Sequence, residues 1–141
     1  MKKTKLILLV SMVILTLSCK KNEAQVTKTK SQQVISEKVT ADAFKTKVEQ
    51  QEVQLIDVRT PEEYSEGYIQ NALNINIYDN DFITQINKLD KNKPVYLYCK
   101  MGGRSAKAAE RLEMAGFTKI YDLQGGFSSW QQKEYPISTK E

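Results

Sequence analysis

The sequence predicts one α/β domain built around a mainly parallel sheet. Four short aliphatic runs, typical of buried strands, alternate with segments that have the apolar period of helices. This alternation favours a parallel sheet, whose functional sites form at the carboxyl ends of its strands. Asp57 and Cys99 both stand at such ends. A chain of 141 residues has room for one domain of this kind.

The first half of the predicted domain contains two helices on either side of a strand. Thr40 is the expected N-cap of the first helix, and an aliphatic run over 53–58 predicts the strand. The second helix is expected between Thr60 and Gly67. It has a capping threonine, a proline in its first position and two acids in its first turn, all of which favour a helix N-terminus.

The second half of the predicted domain repeats the alternation. Further strands are expected over 73–77, 95–98 and 119–123, and further helices over 105–115 and 127–133, after a Gly125-Gly126 turn. Asp79 or Asn80 is the expected cap of another helix, whose apolar face carries Phe82, Ile83, Ile86 and Leu89. We expect Phe127 and Trp130 to pack in the core.

Residues 1–18 predict a signal peptide. Lys2, Lys3 and Lys5 precede an aliphatic run over 6–17, which is too short for the roughly 20 residues of a membrane-spanning helix. The placement of Cys19 after Leu17-Ser18, at the end of this run, resembles a bacterial lipoprotein signal, in which the cysteine is lipidated and becomes the mature N-terminus. That resemblance implies export and a lipid anchor in a bacterial cell membrane, with the domain facing the periplasm or the exterior.

Composition narrows the range of functions. The net charge is +4, and the three lysines of the signal peptide account for all but one of these charges. A near-neutral domain gives no reason to expect a nucleic-acid partner. The chain has no histidine and two cysteines, which excludes a Cys–His dyad, histidine-ligated metals and a cysteine-rich zinc site. We expect no metal and no cofactor.

Cys99 is the candidate nucleophile. It follows an apolar run and precedes a glycine-containing loop, and a helix is expected to begin at Ser105. N–H groups of a tight loop and of a helix N-terminus favour an anion, and Lys100 and Arg104 add positive charge. Without a histidine, the thiol must be activated by this geometry and charge.

Other residues are expected to shape or support this loop. We expect Gly102 and Gly103 to take a positive φ or to approach an anion closely. Arg104 is expected to frame the anion pocket, and Lys100 to attract substrate. Asp57 and Arg59 are expected to form an ion pair that supports the loop from below.

Three segments in order resemble a single rhodanese domain over residues 34–136. They are the run 55–64 with Gly67–Ala72 behind it, the run 95–105, and the run 125–130. The chain departs from the family pattern at Tyr68, where the family usually has histidine, and at Lys100, where it often has arginine. The domain organisation that follows is a signal peptide over 1–18, a lipidated N-terminus and flexible polar tether over 19–33, and a rhodanese-like domain over 34–141.

The resemblance implies a rhodanese-like three-layer fold and a sulfurtransferase. Cys99 would take a sulfane sulfur from a donor such as thiosulfate or a persulfide, and would pass it from a cysteine persulfide to a thiol or a cyanide-like acceptor. The implied substrate and anion loop is formed by Lys100, Met101, Gly102, Gly103, Arg104 and Ser105. Because an exported thiol is prone to oxidation, a reductant outside the cytoplasm or a thiol partner protein is also expected.

Two other functions are compatible with a cysteine–arginine loop. Some phosphatases share the rhodanese fold, but their loop has one more residue between cysteine and arginine. Here four residues separate Cys99 from Arg104, which suits a single sulfur atom better than a phosphate. A non-catalytic, membrane-tethered sulfur carrier or binding module remains the open alternative.

Overall fold

Five parallel strands form the central sheet of the computed structural model, which describes residues 33–50 and 52–139. In chain order they are β1 (Ile35–Val39), β2 (Gln54–Asp57), β3 (Leu73–Asn74), β4 (Val95–Tyr98) and β5 (Lys119–Leu123). Their order across the sheet is β1-β5-β4-β2-β3, and every pairing is parallel. The predicted parallel sheet is confirmed.

Five helices cover the two faces of the sheet. They are α1 (Ala41–Gln50), α2 (Pro61–Ser65), α3 (Phe82–Ile86), α4 (Gly103–Met114) and α5 (Gly126–Gln132). Buried side chains of α3 and α4 belong to one apolar cluster, and those of α1, α2 and α5 to a second cluster. The helices therefore form two outer layers, which confirms the three-layer fold.

Strand β4 lies in the middle of the sheet and contributes to both clusters. Val95 and Leu97 pack on the α3/α4 side, whereas Tyr96 and Tyr98 pack on the opposite side. All four are buried. A strand covered on both faces needs a continuous apolar run, which is the pattern that the sequence has here.

The predicted caps of the first two helices are confirmed. The Thr40 hydroxyl accepts a hydrogen bond from the Ala43 N–H at 3.4 Å. The Thr60 hydroxyl accepts from the Glu63 N–H at 3.3 Å, and the Glu63 carboxylate accepts from the Thr60 N–H at 3.2 Å. This reciprocal capping box fixes the start of α2.

The region between β3 and α3 differs from the prediction. Strand β3 ends at Asn74 rather than at residue 77, and the Asn74 side-chain amide donates to the carbonyls of Asp57 and Arg59. The N-cap of α3 is Asp81 rather than Asp79 or Asn80, and it makes no side-chain capping bond. Ile83 is exposed, so the predicted apolar face is narrower than expected.

Strand β1 was not predicted from the sequence. It pairs with β5 at the edge of the sheet, and its residues are mostly exposed, so it lacks the apolar run of the other strands. Helix α4 begins at Gly103, two residues before the expected start. The signal peptide, Cys19 and most of the tether lie outside the described residues. Within the described part of the chain, no helix is long and apolar enough to cross a membrane.

Candidate active site

Cys99 follows the last residue of β4 and lies directly beneath the first turn of α4. Its thiol is free, and the residue is only 1% exposed. The Gly102 N–H points at Sγ with an N···S distance of 3.1 Å, and the Ser105 hydroxyl lies 3.5 Å from Sγ. The sulfur is therefore buried and has hydrogen-bond donors beside it.

These donors shift the ionisation of the thiol. Burial raises the pKa of Cys99, because a buried thiolate loses its hydration. The Ser105 hydroxyl and the N–H groups of Ser105, Met101 and Gly102 oppose this effect and outweigh it, so the pKa lies below its ordinary value. The thiolate is favoured without any neighbouring base.

The start of α5 determines how the loop faces the sulfur. The Phe127 N–H donates to the Cys99 carbonyl at 2.7 Å, and the Ser128 N–H donates to the Lys100 carbonyl at 3.0 Å. In a trans peptide the C=O and the N–H point in opposite directions. Because these carbonyls are held by α5, the N–H of Met101 is turned away from α5 and towards the sulfur.

The start of α5 can approach the loop this closely only because residue 126 is a glycine. Gly126 has a φ of +62°, and a Cβ built at this position would lie 2.5 Å from the Cys99 carbonyl oxygen and 2.7 Å from the Lys100 carbonyl carbon. Gly102 has a φ of +97° and is the N-cap of α4. The positive φ is thus confirmed for Gly102 but is wrong for Gly103, which is already the first helical residue.

Arg104 lies in the first turn of α4 and is held by Glu63 of α2. Two guanidinium nitrogens donate to the two carboxylate oxygens at 2.6 and 2.7 Å. This bond holds the pKa of Glu63 at about 2. Arg104 also interacts with Cys99, since the opposite charges of the guanidinium and the thiolate each favour the ionised form of the other residue. The ion pair thus joins α2 to the helix that follows the loop.

The remaining loop side chains face outward. Met101 is 77% exposed, and Lys100 is also exposed. Lys100 lines a small cleft of about 70 Å³ together with Arg59, Glu63 and Phe127. Its charge is therefore at the surface beside the loop, where a substrate could meet it.

Asp57 and Arg59 form the buried ion pair that the sequence predicts. The Arg59 guanidinium bonds to both Asp57 oxygens, and one of its nitrogens also donates to the Gly67 carbonyl at 2.7 Å. The guanidinium carbon lies 4.1 Å from the centroid of the Phe127 ring. Arg59 thus connects the end of β2 with the end of α2 and the start of α5.

The structure adds three residues that sequence reasoning did not select: Glu63, Asp122 and Gly126. Glu63 was noted only as an acid in a first turn, although the Thr60–Glu63 spacing is itself a capping-box signal. Its pairing with Arg104 joins residues 41 positions apart, so only the folded structure reveals it. Phe127 and Trp130 are buried in the core, as predicted.

Comparisons with known proteins agree with this fold. The profile of the Rhodanese-like domain family matches residues 40–133. The uncharacterized protein YqhL of Bacillus subtilis (strain 168) is 40% identical over 102 residues, which are 72% of this chain and 78% of YqhL. Thiosulfate sulfurtransferase GlpE of Coxiella burnetii is 36% identical over 84 residues, covering 60% of this chain and 77% of GlpE. The crystal structure of a rhodanese-like domain protein from Staphylococcus aureus superimposes with a TM-score of 0.65 at 35% identity, covering 74% of this chain and 99% of that one.

The first prediction concerns the contact between α5 and the loop. We expect Gly126→Ala to lower the free energy of unfolding by at least roughly 2 kcal/mol, because the added Cβ meets the loop backbone and the left-handed conformation disfavours alanine. Urea unfolding followed by circular dichroism measures this loss. Gly103→Ala is the matched control, since its Cβ meets nothing within 4 Å and its backbone is helical. Gly103→Ala should be neutral or stabilising by up to about 1 kcal/mol. Equal losses of stability in both variants would contradict the close contact between Gly126 and the loop backbone.

The second prediction concerns the Glu63–Arg104 pair. Because the pKa of Glu63 falls from 4.5 to about 2 on folding, the pair stabilises the protein above about pH 4.5, and this contribution is lost as the pH falls towards 2. Glu63→Gln keeps the capping geometry but not the charge, and should cost about 1–2 kcal/mol at pH 7. The difference in urea midpoint between Glu63→Gln and wild type should shrink as the pH is lowered from 7 to 2.5.

The control for this experiment is Glu62→Gln, which removes the same charge from the same helical turn outside the Arg104 pair. It should change stability by about 0.5 kcal/mol or less at pH 7. A gap between Glu63→Gln and wild type that does not depend on pH would show that the ion pair contributes nothing to folding.

Proposed function

The chain belongs to the family of rhodanese-like domains, and from this premise we propose that it is a sulfurtransferase that carries a sulfane sulfur on Cys99. Relatives named as thiosulfate sulfurtransferases, at 35% and 36% identity, support the reaction type. The donor-lined thiol at the carboxyl end of β4 is the observation that carries the proposal.

The first half-reaction loads the sulfur. The Cys99 thiolate attacks the sulfane sulfur of a donor such as thiosulfate or a persulfide. With thiosulfate, a new S–S bond forms on Cys99, the sulfur–sulfur bond of thiosulfate breaks, and its electron pair leaves with sulfite. The negative charge of the thiolate then resides on the outer sulfur of the cysteine persulfide, so no proton has to be moved.

The second half-reaction returns the enzyme to its starting state. A thiol or a cyanide-like acceptor attacks the outer sulfur of the persulfide, and the Cys99 thiolate leaves. Cyanide gives thiocyanate, and a thiolate gives a new persulfide. The loop N–H groups and the Ser105 hydroxyl that favour the thiolate also suit the persulfide anion, which is the logic of an oxyanion hole applied to sulfur.

The third prediction tests sulfur loading on the full chain carrying Cys19→Ser, in which Cys99 is the only thiol. Incubation with thiosulfate should add one sulfur, about 32 Da, to the intact mass. Cyanide should then remove it and release thiocyanate. The matched control with Cys99→Ser should gain no mass and release no thiocyanate. If neither thiosulfate, cysteine persulfide nor glutathione persulfide loads the chain, a non-catalytic, membrane-tethered module becomes the better account.

We also propose that the protein is exported and lipid-anchored through Cys19. The basic start of the chain, its short aliphatic run and the cysteine at position 19 support this proposal. Several acyl chains on one residue would hold the domain stably at a bacterial membrane, where a single chain binds only marginally. Outside the cytoplasm, a thiol partner protein would be needed to keep Cys99 reduced.

The fourth prediction tests the anchor. In bacteria that process lipoproteins, the wild-type protein should enter the detergent-rich phase on detergent phase separation. Cys19→Ala should leave the protein in the aqueous phase or in its unprocessed form, which mass measurement distinguishes. Identical partitioning of the two proteins, with masses that differ only by the substitution itself, would rule out lipidation at this position.

A further inference from the structure

Asp122 is a buried carboxyl group that the proposed reaction does not use. It lies in β5, is 4% exposed, and neither of its side-chain oxygens makes a hydrogen bond to the residues that the structure describes. Burial of an unpaired polar group is costly, and for a carboxylate the cost is higher still. Its position therefore calls for an explanation.

The sheet places Asp122 behind the nucleophile. Asp122 pairs with Leu97, two residues before Cys99, and both side chains face α4. The fully buried Ser105 stands in the first turn of α4, with its hydroxyl oxygen 3.5 Å from Sγ of Cys99. Ala109, one helical turn after Ser105 on the same face of α4, lines the cleft that contains Asp122, so the sulfur and the carboxyl group flank the same face of this helix.

The surroundings of Asp122 favour its neutral form. Burial raises the pKa of Asp122, and the Ser105 hydroxyl and the Lys38 ammonium of β1 only partly oppose this rise. Other carboxylates line the same cleft, namely Glu37 of β1 with Glu110 and Glu113 of α4. On the β4 side the titratable group is the Cys99 thiol. One lysine therefore faces several anionic groups.

The Ser105 hydroxyl lowers the pKa of both Cys99 and Asp122, but among the described residues it is bonded to the sulfur and not to Asp122. A hydroxyl has one proton to donate and two lone pairs that accept. If Asp122 were ionised, it would compete with the thiolate for that proton. If Asp122 is neutral, its own O–H can donate to the Ser105 oxygen, which leaves the Ser105 proton for Cys99.

We propose that Asp122 is a positioning residue that acts through the Ser105 hydroxyl on the sulfur of Cys99. In this proposal the protonated carboxyl group, which makes no hydrogen bond to the described residues, turns its O–H to the Ser105 oxygen, and Ser105 donates to the thiolate and later to the persulfide anion. Each donated bond polarises the next, so the chain of two bonds stabilises the anion more than Ser105 alone. The catalytic part of this inference rests on the proposed sulfur transfer, whereas the effect on the thiol does not.

The fifth prediction is tested on the full chain carrying Cys19→Ser, by the pH dependence of Cys99 alkylation with iodoacetamide. Asp122→Leu keeps a similar shape but removes the donor, and should raise the measured pKa of Cys99 by roughly half a unit to one unit. Asp122→Asn retains an N–H donor without a charge, and should leave that pKa within about 0.3 units of wild type. Glu113→Gln, which removes an exposed charge from the same cleft, is the control and should leave it unchanged.

The same variants in a Ser105→Ala protein separate the proposed Asp122–Ser105–Cys99 relay of hydrogen bonds from a general effect on packing. In Ser105→Ala, the relay is already broken, so adding Asp122→Asn or Asp122→Leu should not shift the pKa of Cys99 further. Equal shifts with and without Ser105 would overturn the proposal. So would a fall of more than about half a unit in Asp122→Asn, because that result would identify Asp122 as an ionised carboxylate that repels the thiolate. If Asp122→Leu does not fold, the Asp122→Asn variant still tests the proposal.

Sulfur loading from thiosulfate, followed by intact mass, keeps the two proposals apart. If the Asp122 variants shift the thiol pKa as described but wild type never gains sulfur, the relay stands and the sulfurtransferase proposal fails. If wild type loads sulfur and the Asp122 variants leave the thiol pKa unchanged, the relay fails alone.

Discussion

The lowered pKa of the Cys99 thiol depends on the orientation of the peptide groups at the end of β4. The carbonyls of Cys99 and Lys100 are held by N–H groups in the first turn of α5, which turns the Met101 N–H towards the sulfur, and the Gly102 N–H points at the sulfur beside it. Gly126 permits this contact, because any side chain there would overlap the loop backbone. The last helix of the domain, nearly 30 residues along the chain from the nucleophile, is therefore part of the mechanism that lowers the pKa of the thiol.

The buried Asp57–Arg59 pair holds α5 and α2 in the positions that this contact requires. The guanidinium bonds to the carboxylate and to the Gly67 carbonyl and lies over the face of Phe127, and these contacts compensate for its desolvation. A buried pair of this kind adds little net stability, but loss of one partner leaves a buried charge and costs about 3–5 kcal/mol. Its contribution is geometric: it places Phe127, whose N–H holds the loop, against the end of β2.

The sequence predicts the elements whose stability is local and misses those that depend on distant partners. The apolar run of β4, the Thr60 cap and the placement of Cys99 follow from residues next to each other, and the structure agrees with them. Strand β1 is mostly exposed and exists because β5 offers it hydrogen bonds, so its own residues carry no signal. The same holds for Glu63, whose partner Arg104 is 41 residues away, and for Asp122, whose burial is a property of the sheet.

The absence of histidine from the chain leads to a particular form of activation. A general base would have to take up the thiol proton and give it back, whereas sulfane sulfur transfer starts and ends with an anion on sulfur. Fixed donors meet this requirement better than a base, because they stabilise the thiolate and the persulfide without changing their own protonation. The role proposed for Asp122 extends the same principle, since a protonated carboxyl group would strengthen the Ser105 donor without bringing a second negative charge near the sulfur.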